Sequence, residues 1–389
     1  MMNNPSNQIF DCLTPEEILL SKQLKQVIQN EIIKNGGVIS FSRYMELALY
    51  YPKLGYYSNN LFKFGASGDF VTAPLISNVF GILLTKQINE LFNFGVAQNV
   101  LEFGAGNGKL AADILAVNGH NIDNYYILEI SNNLKHWQKQ TIEAAVPQYI
   151  SKVIWLESLP DSFNGVIIAN EVLDAQPCDL INYTAGEING VGVGLEHDDF
   201  VYKECKLNEI TLQLSQNINY DYHDYLTEVH TMNHAFITTV GAVLDKGAVI
   251  FIDYGCGQSE YYHAQKVRGS LRGFFRQNVL DSVLIYPGLI DITASVNFSL
   301  IATSAISSGM ELIGYTTQSN FLVNCGLVEL MQQLHLELSS QQYLQLSNQV
   351  NRLISNNEMG DLFKVIGFSK GIDESDWCGF ATADRSYLL

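Results

Sequence analysis

Apolar residues first recur at helical spacing at Leu20, Leu24, Val27 and Ile28, and Gly36-Gly37 closes that run. Thr14-Pro15-Glu16-Glu17 stands just ahead of it. A capping Thr, a Pro suited to the first turn and a Glu three residues on predict the helix start. A second short helix is expected around 42–49, running into Tyr50-Tyr51-Pro52. The stretch from Leu54 to Pro74 is rich in Gly, Ser and Asn and reads as loop; a further helix is expected from 76 to about 96. The rhythm then changes to α/β alternation. Strands are expected at 100–103, 125–130, 152–156, 165–169 and 248–253, with helices at 109–117 and 132–145. Such alternation implies a parallel sheet covered on both faces. Between the fourth and fifth strands the pattern breaks. Val191, Val193 and Leu195 alternate, Asp198-Asp199 turns the chain, and Phe200 and Tyr202 alternate again. This predicts an inserted antiparallel hairpin, followed by a long helix to about Leu244.

Composition narrows the class. With 47% hydrophobic and 16% charged residues over 389 positions, the chain can bury a large core, and disorder is excluded. The formal net charge of −18 repels phosphate backbones and anionic lipid, so neither nucleic acid nor membrane is expected as a partner. A cationic protein segment would suit that surface, although acidity also serves plain solubility. Cys12, Cys178, Cys205, Cys256, Cys325 and Cys378 are scattered, with no C-x-x-C pair. That argues against structural zinc and a disulfide framework and fits a reducing cytoplasm. Residues 1–10 lack the features of a signal or transit peptide, and no apolar run approaches the roughly 20 residues of a membrane span. A soluble cytoplasmic protein is expected; the pattern sets no oligomeric state.

The chemistry concentrates at Leu101-Glu102-Phe103-Gly104-Ala105-Gly106-Asn107-Gly108, where a strand enters a glycine-rich turn and a helix follows. Glycines there let backbone approach a ligand closely, and the helix start favours hydrogen-bond acceptors. A dinucleotide fingerprint would place its third glycine at Lys109, so a NAD-dependent oxidoreductase is disfavoured. The spacing E-x-G-x-G-x-G is instead the usual first motif of class I methyltransferases, which bind S-adenosylmethionine (SAM). Glu129, at the end of the second strand, is placed to accept both ribose hydroxyls. Glu157 and Ser158, after the third strand, are the expected adenine neighbours. Trp155 is read as core.

A second constellation, Ala169-Asn170-Glu171-Val172-Leu173-Asp174-Ala175, follows the fourth strand. Ligands of open α/β sheets bind at the carboxyl ends of strands, so Asn170, Glu171 and Asp174 are expected to face the methyl acceptor. Two carboxylates could hold a guanidinium and orient one nitrogen for attack. The competing reading makes Glu171 a helix cap and Asp174 a surface ion-pair partner.

Further motifs carry a family resemblance. Gly68-Asp69-Phe70-Val71-Thr72-Ala73-Pro74 resembles a G-D-F-x-T-[SA]-P signature. With it stand the glycine loop, Asn170-Glu171-x-x-Asp174-Ala175, Asp253-Tyr254-Gly255, Arg268-Gly269-Ser270-Leu271-Arg272, Asp291-Ile292-Thr293-Ala294 and Gly314-Tyr315-Thr316-Thr317-Gln318. In this order, from about residue 35 onward, they resemble the MidA family, bacterial SAM-dependent methyltransferases related to the mitochondrial complex I assembly factor. The resemblance implies that Gly68, Asp69, Thr72 and Pro74 lie beside the methionine end of SAM. It implies that Glu102, Gly104, Gly106, Gly108 and Glu129 hold the cofactor, and that Asn170 and Glu171 line the acceptor side. It also implies arginine methylation of a protein substrate, with a respiratory complex I subunit homologue as the candidate. Ala105 and Asn107 depart from the family's E-L-G-P-G-R-G loop; Ser295 and Asn297 depart from its D-I-T-A-H-V-D-F stretch, which bears on acceptor identity.

The expected architecture is therefore an α/β class I methyltransferase with a Rossmann-like, mostly parallel sheet, N-terminal helices and an inserted β-hairpin and helical subdomain. Its segments are 1–66 (helical), 67–180 (first part of the core), 181–245 (insertion) and 246–389 (remainder). No metal is expected: His230 and His234 are four apart, but the Glu of H-E-x-x-H is missing. Arg268, Arg272 and Arg276 could contact an acidic partner or brace the core. The rival function is a non-catalytic or SAM-retaining assembly module, and a small-molecule acceptor stays open.

Overall fold

The computed structural model describes residues 13–59, 61, 72–216, 218 and 224–389. The chain divides into two compact units, each assembled from three segments: Met1–Phe70, Asp174–Ala235 and Ser259–Ser295 in the first, and Val71–Leu173, Phe236–Gln258 and Val296–Leu389 in the second.

The second unit is built on a sheet whose main strands we number β1 (Asn99–Phe103), β2 (Asn124–Leu128), β3 (Val153–Leu156), β4 (Phe163–Asn170), β5 (Leu244–Cys256), β6 (Glu311–Thr317) and β7 (Phe363–Lys370). Their order from one edge is β6-β7-β5-β4-β1-β2-β3. β1 to β5 pair in parallel, and β7 runs antiparallel to both β5 and β6. Central strands must be apolar on both faces, and the chain supplies that. Val100, Val166, Ile168, Ile250 and Ile252 pack into one buried cluster. Leu101, Phe103, Ile167, Ala169, Val249 and Phe251 pack into another, as the two-residue alternation of strands requires. Strand order reverses between β1 and β4, and a ligand is expected beyond the carboxyl ends of the strands at such a point. Close approach of β4 to β5 depends on Gly247, where an added Cβ would lie 2.0 Å from the Gly165 carbonyl oxygen.

The first unit carries a five-stranded antiparallel sheet and a three-stranded one. The capping box forms as expected: Thr14 Oγ1 accepts from Glu17 N at 3.2 Å, and the Glu17 carboxylate accepts from Thr14 N at 2.7 Å, opening the helix Pro15–Lys34. The expected hairpin is present as Glu187–Glu196 and Asp199–Cys205, paired antiparallel. The long helix expected after it is not continuous. Helix Glu209–Ser215 comes first, then strand Tyr225–Val229, and only then helix Thr231–Val243. The first of these helices closes at Gln216, and Asp224, in the left-handed region (φ 54), stands directly ahead of the strand. The aromatic and β-branched residues Tyr225, Thr227 and Val229 then pair against Asp179–Thr184 and extend the sheet. Among the described residues, no helix is long and apolar enough to cross a membrane.

Candidate functional site

The glycine loop leaves β1 with Gly104, Gly106 and Gly108 all at positive φ (62, 52 and 85). Gly108 is the N-cap of helix Lys109–Asn118. A Cβ on Gly104 would sit 2.8 Å from Val172 Cγ2, and one on Gly108 would sit 2.9 Å from Gln138 Cα. Conformation and space thus both demand glycine. Gly108→Ala is expected to lower unfolding free energy by about 2 kcal/mol, because it combines the left-handed penalty with a backbone clash. Urea denaturation of the purified variant measures it.

Glu102 is 2% exposed and accepts a hydrogen bond from Tyr125 OH at 2.7 Å. Burial pushes its carboxyl up to about 7, partly offset by that bond. A carboxyl raised from an unfolded value of 4.5 binds its proton more tightly when folded. Stability is therefore lost as pH rises from about 4.5 to about 7, by about 3 kcal/mol in all. Urea midpoints at pH 5 and pH 8 should show this slope in the native chain, and Glu102→Gln should flatten it.

Glu129 sits one residue beyond β2 and is 8% exposed. Its Oε1 accepts from Ser131 N at 2.8 Å and its Oε2 from Gln138 Nε2 at 3.1 Å. Burial raises its pKa, and these donors oppose the rise. Gln138 also donates to the Gly106 carbonyl at 3.1 Å and accepts from Trp155 Nε1 at 3.0 Å. This buried glutamine ties the glycine loop to the end of β2 and to β3. The sequence reading missed it, and also missed the polar use of Trp155. A glutamine in mid-helix gives no signal of its own; only its position on the face packed against the glycine loop could have found it. Glu157 and Ser158, directly after β3, are both exposed. Glu157 pairs with Lys135 at 2.9 Å. Thr72 is the N-cap residue of the short helix Ala73–Ile76, whose buried Pro74 lies in its first turn. Gly68 and Asp69 lie outside the described residues.

At the end of β4, Asn170 Nδ2 donates to Glu171 Oε1 at 3.1 Å, and the same oxygen accepts from Ala73 N at 3.4 Å. Glu171 does not cap a helix, since none follows it. Its backbone instead lies in the left-handed region (φ 55), a conformation a glutamate holds only when its surroundings enforce it. The enforcing groups are on β5. Glu171 N donates to the Ile252 carbonyl at 2.9 Å, while buried Asp253 Oδ2 accepts from Val172 N at 3.1 Å and Leu173 N at 2.9 Å. Asp253 is a second residue missed as a site member. A carboxylate at the carboxyl end of a central strand was the available signal. Asn170 Oδ1 is buried without a hydrogen-bond partner among the described residues. Asp174 is the first residue of a first-unit segment. It is 7% exposed, and its carbonyl accepts from Ala294 N at 3.0 Å.

His230 lies buried against Tyr261, with Nε2 and the phenol oxygen 2.9 Å apart. Burial lowers its pKa to about 4. Among the described residues no group of three His, Cys, Asp or Glu side chains could hold a metal ion.

Residues 83–316 match the family described as "Putative S-adenosyl-L-methionine-dependent methyltransferase". "Protein arginine methyltransferase NDUFAF7, mitochondrial" of Danio rerio is 29% identical over 379 residues, covering 89% of this chain and 86% of that protein. The protein of that name from Homo sapiens is 29% identical over 325 residues, covering 76% and 71%. A crystal structure of a superfamily member from Burkholderia thailandensis, bound to S-adenosyl-homocysteine, is 39% identical. It covers 97% of this chain and 99% of that one, with a TM-score of 0.91. These relatives favour an enzyme over a non-catalytic assembly module. The chain belongs to the MidA family of S-adenosyl-L-methionine-dependent methyltransferases.

Proposed function

We propose that this methyltransferase modifies an arginine side chain of a protein substrate. The observation that carries the reading is Glu171, a carboxylate fixed at the carboxyl end of β4 in a left-handed backbone conformation. The names of the Danio rerio and Homo sapiens relatives, over most of the chain, support the same acceptor.

The residues present suit the cofactor. SAM carries an ammonium, a ribose diol and an adenine. Against these the second unit sets the Glu129 carboxylate, suited to the diol, and a loop whose three glycines all take positive φ. Asn170 Oδ1, buried without a hydrogen-bond partner among the described residues, is assigned with Glu171 to the acceptor side. We assign Glu102, Gly104, Gly106, Gly108 and Glu129 to cofactor binding. Thr72 and Pro74, with Gly68 and Asp69, are assigned to the methionine end, and Glu157 and Ser158 to the adenine side. When bound, SAM supplies a methyl group already activated by its sulfonium, so the protein's task is alignment.

Glu171 performs that alignment on the acceptor. Asn170 and Ala73 N hold its Oε1, so the carboxylate presents a fixed anionic edge. A guanidinium paired with that edge keeps its positive charge toward the carboxylate, which leaves a nitrogen lone pair available for in-line attack. Asp174 is assigned the same class of role, and a complex I subunit homologue is the candidate substrate. The scattered cysteines suit a reducing cytoplasm, and among the described residues Cys178, Cys205, Cys325 and Cys378 are free thiols.

Fractionation tests the acceptor class. Lysate separated by size into protein and small-molecule pools is offered to the enzyme with SAM, and S-adenosyl-homocysteine is quantified. Product formed only with the protein pool supports the proposal; product formed only with the small-molecule pool refutes it.

A further inference from the structure

The three arginines around residue 270 prove to be of two kinds. Arg276 braces the first unit through Glu17 at 2.8 Å. Arg268 and Arg272 are exposed, and among the described residues neither pairs with a carboxylate. Arg272 Nη1 donates to its neighbour's carbonyl, Leu271 O, at 2.8 Å. In a chain with 40 acidic residues against 22 Lys and Arg, two neighbouring arginines without an acidic partner stand out.

The turn between them is held from within. Glu228, 1% exposed, accepts at Oε1 from Ser270 N at 2.8 Å and Leu271 N at 2.7 Å. Its Oε2 accepts from Tyr261 OH at 2.9 Å and Ser270 Oγ at 3.3 Å. Gly269 takes φ +64, and a Cβ there would lie 2.4 Å from Glu228 Oε1. Upstream, Leu226 N donates to Val267 O at 3.1 Å. Downstream, Arg272 enters a strand paired with Asp291–Thr293, and Ser270 Oγ accepts from Ser295 N at 3.0 Å. Burying a carboxylate is costly, and this one is satisfied by the backbone and hydroxyl of the turn together with Tyr261 OH instead of by a cation. The result is a braced turn flanked by two exposed arginines.

We propose that Arg268 and Arg272 form a docking site for an acidic segment of the protein substrate, and that Glu228 is its positioning residue. The proposal rests on the reading above that the acceptor is a protein. Planar guanidinium groups engage carboxylates through paired hydrogen bonds, so a fixed pair selects a segment with matching acidic spacing. The net charge of −18 opposes anions at long range, which makes this recognition short-ranged and sensitive to salt. A nucleic acid is the poorer fit, because its backbone would meet that repulsion along its whole length.

The test uses the full chain, a fluorescent peptide carrying one arginine flanked by glutamates, its glutamine-flanked counterpart, and a single-stranded RNA. Fluorescence anisotropy reads binding, and mass spectrometry reads methylarginine. The acidic peptide should bind roughly tenfold more tightly than the neutral one. Arg268→Ala with Arg272→Ala should abolish that preference, as should raising the salt, while leaving SAM affinity unchanged. Glu228→Gln, with both arginines retained, should raise KM for the acidic peptide with little change in kcat. Equal binding of the two peptides, a preference that survives loss of both arginines, or tighter binding of RNA overturns the proposal. Peptide that docks through the arginines yet gains no methyl group supports the docking site and defeats the arginine-acceptor reading. Methylation indifferent to flanking charge and to both arginines does the reverse.

Discussion

Glu129→Ala is expected to lower SAM affinity by at least ~100-fold. The side chain is buried, its carboxylate already oriented by Ser131 N and Gln138 Nε2. Orientation before binding means that little ordering cost opposes the ligand. Two hydrogen bonds from ribose hydroxyls to a charged acceptor are each worth about 1.5–3 kcal/mol, and losing both exceeds two decades in affinity. The alanine also leaves Ser131 N and Gln138 Nε2 without this acceptor, so folding needs its own check by circular dichroism and melting. Glu129→Gln separates the effects: it keeps the packing and one acceptor oxygen, and should retain intermediate affinity. Calorimetric titration with SAM measures all three proteins. Unchanged affinity in folded Glu129→Ala would remove Glu129 from the cofactor site.

Glu171→Gln is expected to slow methyl transfer by roughly 100- to 1000-fold, the usual cost of removing one preorganised charged group from a reacting centre. SAM affinity should change little, because the role assigned to this carboxylate is on the acceptor. The substitution keeps size and one oxygen for Asn170 Nδ2 and Ala73 N, so the left-handed turn should persist. Single-turnover transfer with SAM prebound separates chemistry from binding. Equal loss of transfer and of SAM affinity would assign Glu171 to the cofactor instead.

What the sequence disclosed followed the physical rules that govern each part. β4 and β5 lie at the sheet centre, so both faces are buried and their apolar runs are continuous. The helix Asn132–Ala145 was readable to the residue because Ser131 caps it and its hydrophobic side repeats regularly. The strand Tyr225–Val229 was hidden because five residues with half-buried neighbours also fit a helical pattern; its pairing with Asp179–Thr184 decides the matter. The same holds for strands Arg272–Phe275 and Asn278–Leu280, too short for periodicity to show.

The site divides along a similar line. The positions of Glu102, the three glycines and Glu129 follow from strand-end spacing, which is local information. Gln138 and Asp253 act through contacts with residues distant in sequence, and those contacts are not written in their neighbours. The left-handed backbone of Glu171 was likewise invisible, since hydrogen bonds to acceptors on β5 impose it on a residue that would not choose it. The arginines around residue 270 were ambiguous for the same reason. The ion pair of Arg276 with Glu17 tells them apart.

The methyl group is expected to end on a protein arginine. The most direct measurement incubates the purified enzyme and methyl-labelled SAM with lysate from its own source. Labelled proteins are then hydrolysed to amino acids and resolved by mass spectrometry. Label is expected in methylarginine, and is expected to be absent when Glu171→Gln replaces the native enzyme. Label confined to other residues or to small molecules, from an enzyme that binds SAM normally, would contradict it.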